Sequence, residues 1–372
     1  MKFRLPKLSW PGFKILDWYI LRKFLSTYFF AIAMIIVIVV VFDYVEKIDD
    51  FTTLKAPLKA IIFDYYINFI PFFINQFSGL FTFIAVIFFT SKMAYQTEIV
   101  AMLSGGMSFR RLMWPYFLGA LIIASLSMTL NLWVIPRAQQ KSVAFESQYI
   151  KRKKNYQFDR HIYRQIEPGV FTYIRGYSKE SNQASFFALE RYEGGTMTQS
   201  LEASEARYNP ENGRWTASRY TTRSFDSLGV ETFTQRRNLD TLINLEIAEL
   251  GRINELIKTM NISELNRFLD QQRSKGSDSI SIIQVEQHAR FAYPMATFIL
   301  TLIGVSLSSR KVRGGTGLHI GIGITLCFSY IMFNRVFEEF AKSGSLPPGL
   351  AVWIPNILYL FIAIYLYRKA PK

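Results

Sequence analysis

One segment of the chain resembles a nucleotide-binding motif. Leu103-Ser-Gly-Gly-Met107 follows the residue order of the signature motif of ATP-binding-cassette ATPases. Such an ATPase also needs a Gly-x4-Gly-Lys-Ser/Thr loop, whose backbone N–H groups cradle the phosphates. The sequence contains no such loop, and the loops around Leu103 are too short for a nucleotide-binding domain. We therefore predict that the chain itself binds no ATP and that these glycines end a helix.

No other pattern in the sequence is typical of catalysis or of metal binding. The three histidines, His161, His288 and His319, lie far apart, and none has the spacing of a metal ligand. The single cysteine, Cys327, lies inside an apolar run and cannot form an intrachain disulfide. The sequence therefore predicts a protein that is not an enzyme, with no catalytic residue, no metal and no cofactor of its own.

Four residues at the ends of apolar runs could bind an anionic amphiphile. Asp43 and Lys47 follow the first run, and Asn334 and Arg335 end the fifth. Cations at this level could hold phosphate groups through charge-assisted hydrogen bonds. Ordinary anchoring of helix ends at a membrane interface is the simpler explanation of each residue taken singly. We take these four as candidate substrate-binding residues, with both interpretations open.

The stretch from Tyr95 to Arg111 predicts a short helix between two apolar runs. Thr97 can cap its N-terminus, and Glu98 lies in its first turn, where the helix dipole favours an acid. Gly105 and Gly106 can end it, because glycine tolerates the left-handed conformation of a C-cap. A partner protein could bind this segment, which would then be a coupling helix. Alternatively, the segment is an interfacial or re-entrant turn that binds no partner. The candidate coupling residues are Thr97, Glu98, Ile99, Val100, Met102, Leu103 and Gly105.

Six apolar runs without charges surround these residues and predict membrane spans. Each has about 19 residues or more, which at 1.5 Å per residue is enough to cross roughly 30 Å of hydrocarbon. Six spans would place both termini on the same side of the membrane. The runs are Phe24–Phe42, Tyr65–Ser91, Leu112–Pro136, Phe291–Ser309, Gly314–Asn334 and Ser343–Tyr367.

The distribution of charge predicts the orientation of these spans. The net charge of +15 would suggest nucleic acid in a soluble protein, but half of this chain is hydrophobic and the basic residues flank the apolar runs. Fifteen Lys and Arg residues fall in the two terminal segments and the two short loops Ser91–Arg111 and Arg310–Arg313, against only Asp17 and Glu98. The positive-inside rule therefore predicts cytoplasmic termini and no nucleic-acid partner. The basic start lacks a cleavage site and predicts a retained segment.

Residues 137–285 lie between the third and fourth spans and differ in character. Short runs of aromatic and β-branched residues alternate with turn signals such as Pro168-Gly169 and Gly194-Gly195, which predicts a β-sandwich or jelly roll outside the cytoplasm. Asn261-Ile-Ser-Glu264 then predicts the start of a returning helix. The predicted domains are residues 1–136 with spans one to three, 137–285 with the β domain, and 286–372 with spans four to six. The fold class is a bundle of six transmembrane helices with an inserted periplasmic jelly roll.

Four segments of the sequence follow a pattern known from one protein family: Leu16–Phe24, Gln96–Gly106, Met260–Leu265 and Gly344–Pro355. Through them, nearly the whole chain resembles the lipopolysaccharide export permeases of the LptF/LptG type. The third and fourth segments are closer to the LptG-like branch. That branch tends to carry a lysine at the outer end of span one, where this chain has Asp43, with Lys47 one turn later.

The resemblance implies a multi-pass inner-membrane permease of an ABC-type transporter, which extracts lipopolysaccharide and passes it to a periplasmic bridge for export to the outer membrane. Its partners would be a cytoplasmic ATPase dimer that binds ATP, a second permease subunit that is a paralogue or a copy, and jelly-roll bridge proteins. Glu98 would correspond to the acidic residue of the family's coupling helix. An alternative function is a membrane-anchored envelope scaffold or receptor that acts through its external β domain, although six spans exceed what anchoring needs.

Overall fold

The computed structural model describes residues 14–150, 162–178, 181–210, 212–225, 230–242, 253–274, 277, 279–309 and 317–370. The chain divides into a helical unit, Met1–Ile150 with Gln284–Lys372, and an inserted unit, Lys151–Ile283. Residues 1–13, His161 and the basic loop 310–313 lie outside the described residues, as does the side chain of His319. The predicted orientation of the spans depends in part on these residues and stays a prediction.

The helices follow the apolar runs of the sequence. They are α1 (Ile15–Thr53), α2 (Leu58–Ala60), α3 (Ile67–Tyr95), α4 (Glu98–Ser104), α5 (Phe109–Thr129), α6 (Ile135–Tyr149), α7 (Ile253–Thr259), α8 (Ile262–Ser274), α9 (Ile280–Ser308), α10 (Gly317–Lys342) and α11 (Pro348–Lys369). Two π-helical stretches, Ile61–Tyr66 and Leu130–Val134, join neighbouring helices into longer continuous segments.

Five helical segments in the described part of the chain are long and apolar enough to cross a membrane. They correspond to five of the six predicted runs. The remaining run, Gly314–Asn334, falls mostly within α10, which has 26 residues, and the count of six spans stays a prediction. The five segments are Ile15–Thr53, Leu58–Tyr95, Phe109–Tyr149, Ile280–Ser308 and Pro348–Lys369.

The third segment continues past Pro136, the residue at which the sequence predicts the end of the first domain. Pro136 lies at the start of α6, directly after the π-helical stretch Leu130–Val134, and the irregular hydrogen bonding of that stretch accommodates its missing N–H. Farther along α6, the ring of Phe145 lies 6.0 Å from that of Phe51 and 5.4 Å from that of Tyr65. These contacts attach α6 to the bundle, so the helical unit extends to Ile150.

Aromatic rings close the core between α1, α3 and α5. Phe89 stacks on Phe24 at 5.7 Å and on Tyr116 at 5.3 Å between ring centroids. Gly119 on α5 makes room for this cluster, because a Cβ atom there would lie 2.3 Å from Phe24 Cδ1. A glycine at this position therefore lets α1 and α5 approach closely.

Two further glycines bring α9 and α10 against α3. A Cβ atom on Gly304 would lie 2.8 Å from Val86 Cγ1, and one on Gly323 would lie 2.2 Å from Ile87 Cδ1. Real Cβ atoms do not approach other heavy atoms so closely, so a larger residue would push the helices apart. Helix α3 is therefore the central helix, packed against α1, α5, α9 and α10.

The inserted unit contains one six-stranded antiparallel sheet whose strands lie in sequence order. The strands are β1 (Ile162–Glu167), β2 (Val170–Ser178), β3 (Gln183–Glu193), β4 (Thr196–Asn209), β5 (Arg214–Phe225) and β6 (Glu231–Leu242). Tight turns at Gly169 and Gly194-Gly195 have positive φ and return the chain beside the strand it has just left. The predicted inserted sheet is confirmed. A sandwich or jelly roll needs two sheets, and the described strands form only one.

Side chains alternate between the two faces of this sheet, but along one line across it residues are left out of the pairing and the alternation starts again beyond them. We call this interruption the reset. The pairing of β2, β3 and β4 omits Arg175, Phe186 and Ser204 without a shift of register. The pairing of β5 with β6 likewise omits Ser218 and Asn238. Phe186 and Asn238 have positive φ angles of 52° and 58°, which take the strands out of regular extended geometry.

The reset lets one sheet bury a core of its own. Side chains normally alternate between faces with a period of two, yet buried core residues on either side of the line are three apart. Ile174 and Tyr177 on β2, and Ala203 and Ala206 on β4, belong to the same hydrophobic cluster. Trp215 is fully buried in this cluster.

The helices that follow the sheet begin as the sequence predicts. Glu264 N donates to Asn261 Oδ1 at 2.9 Å, and Asn261 N donates to Glu264 Oε2 at 2.8 Å. This reciprocal capping box satisfies two otherwise unpaired N–H groups at the start of α8. Leu265 and Leu269 on the buried face of α8 pack in one cluster with Ile283.

Candidate functional site

The short helix α4 connects α3 with α5 and begins at Thr97 in an unexpected conformation. Thr97 has a left-handed φ of 62°, and its Oγ1 donates to Gln96 O at 2.6 Å. The side-chain cap predicted for Thr97 is therefore wrong, because its hydroxyl points back along the chain. The Thr97 carbonyl still accepts the first helical hydrogen bond, from Ala101 N at 2.9 Å.

The glycine pair ends α4 as predicted, but the two glycines differ in conformation. Gly106 has a φ of 85°, whereas Gly105 has a φ of −74°. Gly106 N donates to Leu103 O, and Met107 N donates to Met102 O, both at 3.1 Å. This pattern is a Schellman motif with its left-handed residue at Gly106.

The predicted apolar face of α4 is divided between the bundle and the surface. Ile99 is fully buried, and Met102 and Leu103 are half-buried against the cluster that contains Phe24 and Phe109. Val100 instead points outward and is 47% exposed. A helix packed along one side keeps only its opposite side open, and here that side carries Thr97, Val100, Ala101 and Ser104.

Glu98, at the start of α4, is bonded to two residues of α1. It accepts a hydrogen bond from the Tyr19 hydroxyl at 2.9 Å, and Lys23 Nζ lies 3.3 Å from its Oε1. Tyr19 and Lys23 are one helical turn apart, and Lys23 Nζ lies 4.2 Å from the centroid of the Tyr19 ring. The Lys23 and Glu98 side chains remain about a third exposed, so solvent weakens this ion pair.

A second ion pair attaches α1 to the chain beyond α4. Arg111 Nη2 donates to Asp17 Oδ2 at 2.5 Å. Asp17 is only 2% exposed and also accepts a hydrogen bond from Lys14 N at 2.7 Å. A buried carboxylate needs such partners, because loss of its water is otherwise costly. Helix α4 is therefore bracketed by two attachments to α1.

At the other end of α1, Asp43 and Lys47 form a closed ion pair. Lys47 Nζ lies 2.5 Å from Asp43 Oδ1 and 4.7 Å from the centroid of the Tyr65 ring. Lys47 also donates to the Tyr65 hydroxyl, which itself donates to Asp43 Oδ1 at 3.3 Å. The positive charge of Lys47 is thus largely compensated within the chain.

Asn334 and Arg335 on α10 differ in accessibility. Asn334 is buried, and its Nδ2 donates to Tyr330 O at 3.1 Å. The Arg335 side chain is 55% exposed, and its Nη1 lies 3.4 Å from Glu338 Oε2. Glu338 is buried and also accepts a hydrogen bond from Tyr293. Arg335 can therefore reach an external anion, whereas Asn334 supports the helix.

The structure does not bring the four candidate substrate-binding residues into one cluster. Helix α1 packs against α3 and α5, whereas α10 packs against α3 and α11. The described side chains of Asp43 and Lys47 bond to Tyr65, and that of Arg335 bonds to Glu338. Their role in substrate binding stays a prediction.

Residues 18–369 match the family described as lipopolysaccharide export system permease LptF/LptG. The chain belongs to this family. A relative, the lipopolysaccharide export system permease protein LptG of Haemophilus influenzae, is 20% identical over 287 residues, which are 75% of this chain and 77% of that protein. The predicted family is confirmed, and the relative agrees with the LptG-like branch.

Within this LptF/LptG chain, sequence reasoning missed the residues that hold α4 from α1. The segment Leu16–Phe24 carried the family resemblance, but it gave no role to Asp17, Tyr19 or Lys23. The four-residue spacing of Tyr19 and Lys23 was the available signal, because it places both on one face of a helix. Their partner, Glu98, lies more than 70 residues away in the sequence, so the pairing itself could not be inferred from the sequence.

Proposed function

We propose that this chain is a permease subunit of an ABC-type transporter that extracts lipopolysaccharide from the inner membrane. It would pass the lipid to a periplasmic bridge for export to the outer membrane. Membership of the LptF/LptG family supports this function. The observation that carries it is the two-sided packing of α4, with Ile99 fully buried and Val100 exposed.

A helix packed in this way can receive a force on one side and deliver it on the other. The outward face of α4 carries the small side chains of Thr97, Val100, Ala101 and Ser104. A cytoplasmic ATPase dimer would bind this face, and ATP would be bound by that partner. The inward face, centred on Ile99, belongs to the same core cluster as residues of α1, α3 and α5. Movement of α4 would therefore move the spans.

In this proposal the chain crosses the inner membrane six times, with α10 as the fifth span. Both termini are cytoplasmic, and the inserted unit is periplasmic. The sheet forms part of a jelly roll that continues into the bridge proteins. The reset of side-chain alternation supports a self-contained inserted domain, because it allows one sheet to enclose Trp215 in a core.

Exposed apolar side chains on α1 and α10 would line the route of the acyl chains. Phe30 and Phe42 on α1 are 66% and 72% exposed, and Phe328 and Met332 on α10 are 55% and 63% exposed. A second permease subunit, a paralogue or a copy of this chain, would close the cavity around these surfaces. Arg335, as an exposed cation, would contact the phosphates of the lipid.

An envelope scaffold that uses its spans only as an anchor would need no exposed helix built between two of them. The position of α4 therefore favours the transporter. The test is Val100→Asp, which places a charge on the outward face of α4 without disturbing its buried side. Ile15→Asp is the matched control, because Ile15 is 90% exposed and lies outside α4.

The protein would be purified from its native membrane, with mass spectrometry of the bound proteins and lipids. We expect wild-type protein and Ile15→Asp to retain an ABC ATPase and lipopolysaccharide. We expect Val100→Asp to lose the ATPase while the chain stays folded. Wild-type protein that carried ordinary phospholipid and no ATPase would contradict the proposed function.

A further inference from the structure

Helix α1 differs from every other long helix in the described part of the chain. Proline interrupts α3, α5, α9 and α11, and α10 contains glycines at 317, 321 and 323. The 39 residues of α1 include neither proline nor glycine. Kinks in helices arise mainly at such residues or at π-helical stretches. Helix α1 is thus an unbroken rod, about 58 Å long at 1.5 Å per residue.

The rod is held at both ends, with the larger buried cluster near its first turns. Among the five apolar segments, the apolar window of α1 is the least buried, at 17% against 33–67% for the others. Its buried residues cluster at the N-terminal end, where Ile20 and Phe24 share a core with Ile99, Phe109 and Leu112. At its far end Phe51 packs with Tyr65 and Phe145, and Asp43 and Lys47 bond to Tyr65. A movement of the rod would therefore reach the segments that carry Tyr65 and Phe145.

Three side chains at the N-terminal end attach α1 to the α4 loop on both sides. We call Asp17, Tyr19 and Lys23 the α1 anchor. Tyr19 and Lys23 hold Glu98 where the loop enters α4, and Asp17 holds Arg111 after the loop leaves it. An exposed ion pair alone contributes little. Two attachments that flank a shared apolar core define the position of the loop relative to α1.

We propose that the α1 anchor makes α4 and the start of α1 one moving body, so that α1 acts as a lever. A push delivered to α4 would then be carried along α1 to its distant end, where Asp43 and Lys47 bond to Tyr65. Asp17, Tyr19 and Lys23 are positioning residues in this scheme, because they act through Glu98 and Arg111. The inference rests on the proposed function and adds the route by which force reaches the outer part of the bundle.

The test separates binding of the ATPase from coupling. The double variant Tyr19→Phe, Lys23→Met removes the hydroxyl and the charge that hold Glu98, and leaves Glu98 itself in place. We expect the ATPase subunits to co-purify as before, with ATP hydrolysis within about twofold of wild type. ATP-driven release of lipopolysaccharide from proteoliposomes should fall about tenfold, within the range of coupling between sites.

Two further variants make this result specific. The single variant Lys23→Arg keeps the charge and the contact with the Tyr19 ring, and should release lipopolysaccharide at the wild-type rate. Arg22→Met removes the same charge from the exposed neighbour, for which no contact with α4 is described, and should leave release unchanged. Equal losses of ATPase binding and release in the double variant would overturn the anchor and indicate a docking defect.

Whether α1 and α4 stay together as one body is measurable by electron paramagnetic resonance. Spin labels at Ile15→Cys and Ser104→Cys, in a Cys327→Ala background, report the separation of α1 and α4. In the assembled complex we expect the same distance without nucleotide and with ATP and vanadate. A change of this distance in otherwise active protein would overturn the lever. Failure of wild-type protein to bind any ATPase would instead overturn the proposed function, so the two failures are distinguishable.

Discussion

The Tyr19 hydroxyl donates to Glu98 at 2.9 Å across 79 residues of sequence. This bond joins the first turns of α1 to the first residue of α4. With the pair of Asp17 and Arg111, it fixes the helix between the second and third apolar segments against the start of the first. The acidic residue expected to serve a partner therefore also has a structural role inside the chain.

Loss of the Arg111 guanidinium should destabilise the helical unit. Arg111→Met would leave the Asp17 carboxylate, only 2% exposed, without its charged partner. Breaking a buried ion pair on one side costs about 3 kcal/mol or more. We expect a clear fall in the thermal midpoint of the detergent-solubilised protein. Arg110→Met, at the exposed neighbouring position, is the control, and an equal fall there would show that the ion pair is not responsible.

Gly119→Ala should force α1 and α5 apart. The added Cβ would lie 2.3 Å from Phe24 Cδ1 and 2.6 Å from its Cε1, and overpacking of this kind costs about 1–3 kcal/mol. Gly321→Ala provides the matched control, because nothing lies within 4 Å of that Cβ position in α10. Differential scanning fluorimetry should show a lower midpoint for the first variant and an unchanged or higher one for the second, since alanine favours helix.

Trp215→Ala should disrupt the core of the inserted sheet. The indole is fully buried and stacks on Phe187 with ring centroids 5.5 Å apart. Truncation of a buried tryptophan costs about 3–5 kcal/mol. We expect faster proteolysis within the inserted unit of the full chain, read by mass spectrometry of the fragments. Trp133→Ala removes a 62% exposed indole, and comparable sensitivity of that variant would contradict the assignment of the core.

Arg335 and Lys47 should differ in their effect on bound lipid. Arg335 is exposed, whereas Lys47 is compensated by Asp43 at 2.5 Å. Loss of one charged hydrogen bond corresponds to about a tenfold loss of affinity. We therefore expect Arg335→Met to reduce co-purified lipopolysaccharide more than Lys47→Met, as measured by quantitative mass spectrometry. Lys342→Met, which removes a cation paired with Glu339 at 2.7 Å, is the control. A larger loss of lipopolysaccharide in Lys47→Met than in Arg335→Met would indicate that the phosphate site lies on α1.

Some features of this protein were determined locally and could be predicted from the sequence. Hydropathy located the apolar helices, because a helix that crosses a bilayer needs an uninterrupted run of apolar residues. The capping box of Asn261 and Glu264 and the glycine end of α4 depend on neighbours within a few positions, and both formed as predicted. The turns between β1 and β2 and between β3 and β4 followed their glycines for the same reason.

Tertiary structure decided which side of α4 stays open and what holds it. The apolar residues of α4 predicted one face, but the cluster around Phe24 takes up Ile99, Met102 and Leu103 and leaves Val100 outside. That choice depends on side chains from α1, α3 and α5, which no periodicity within seven residues of helix can specify. The same long-range packing sets the need for glycine at 119 and joins Asp17 to Arg111 across 94 residues.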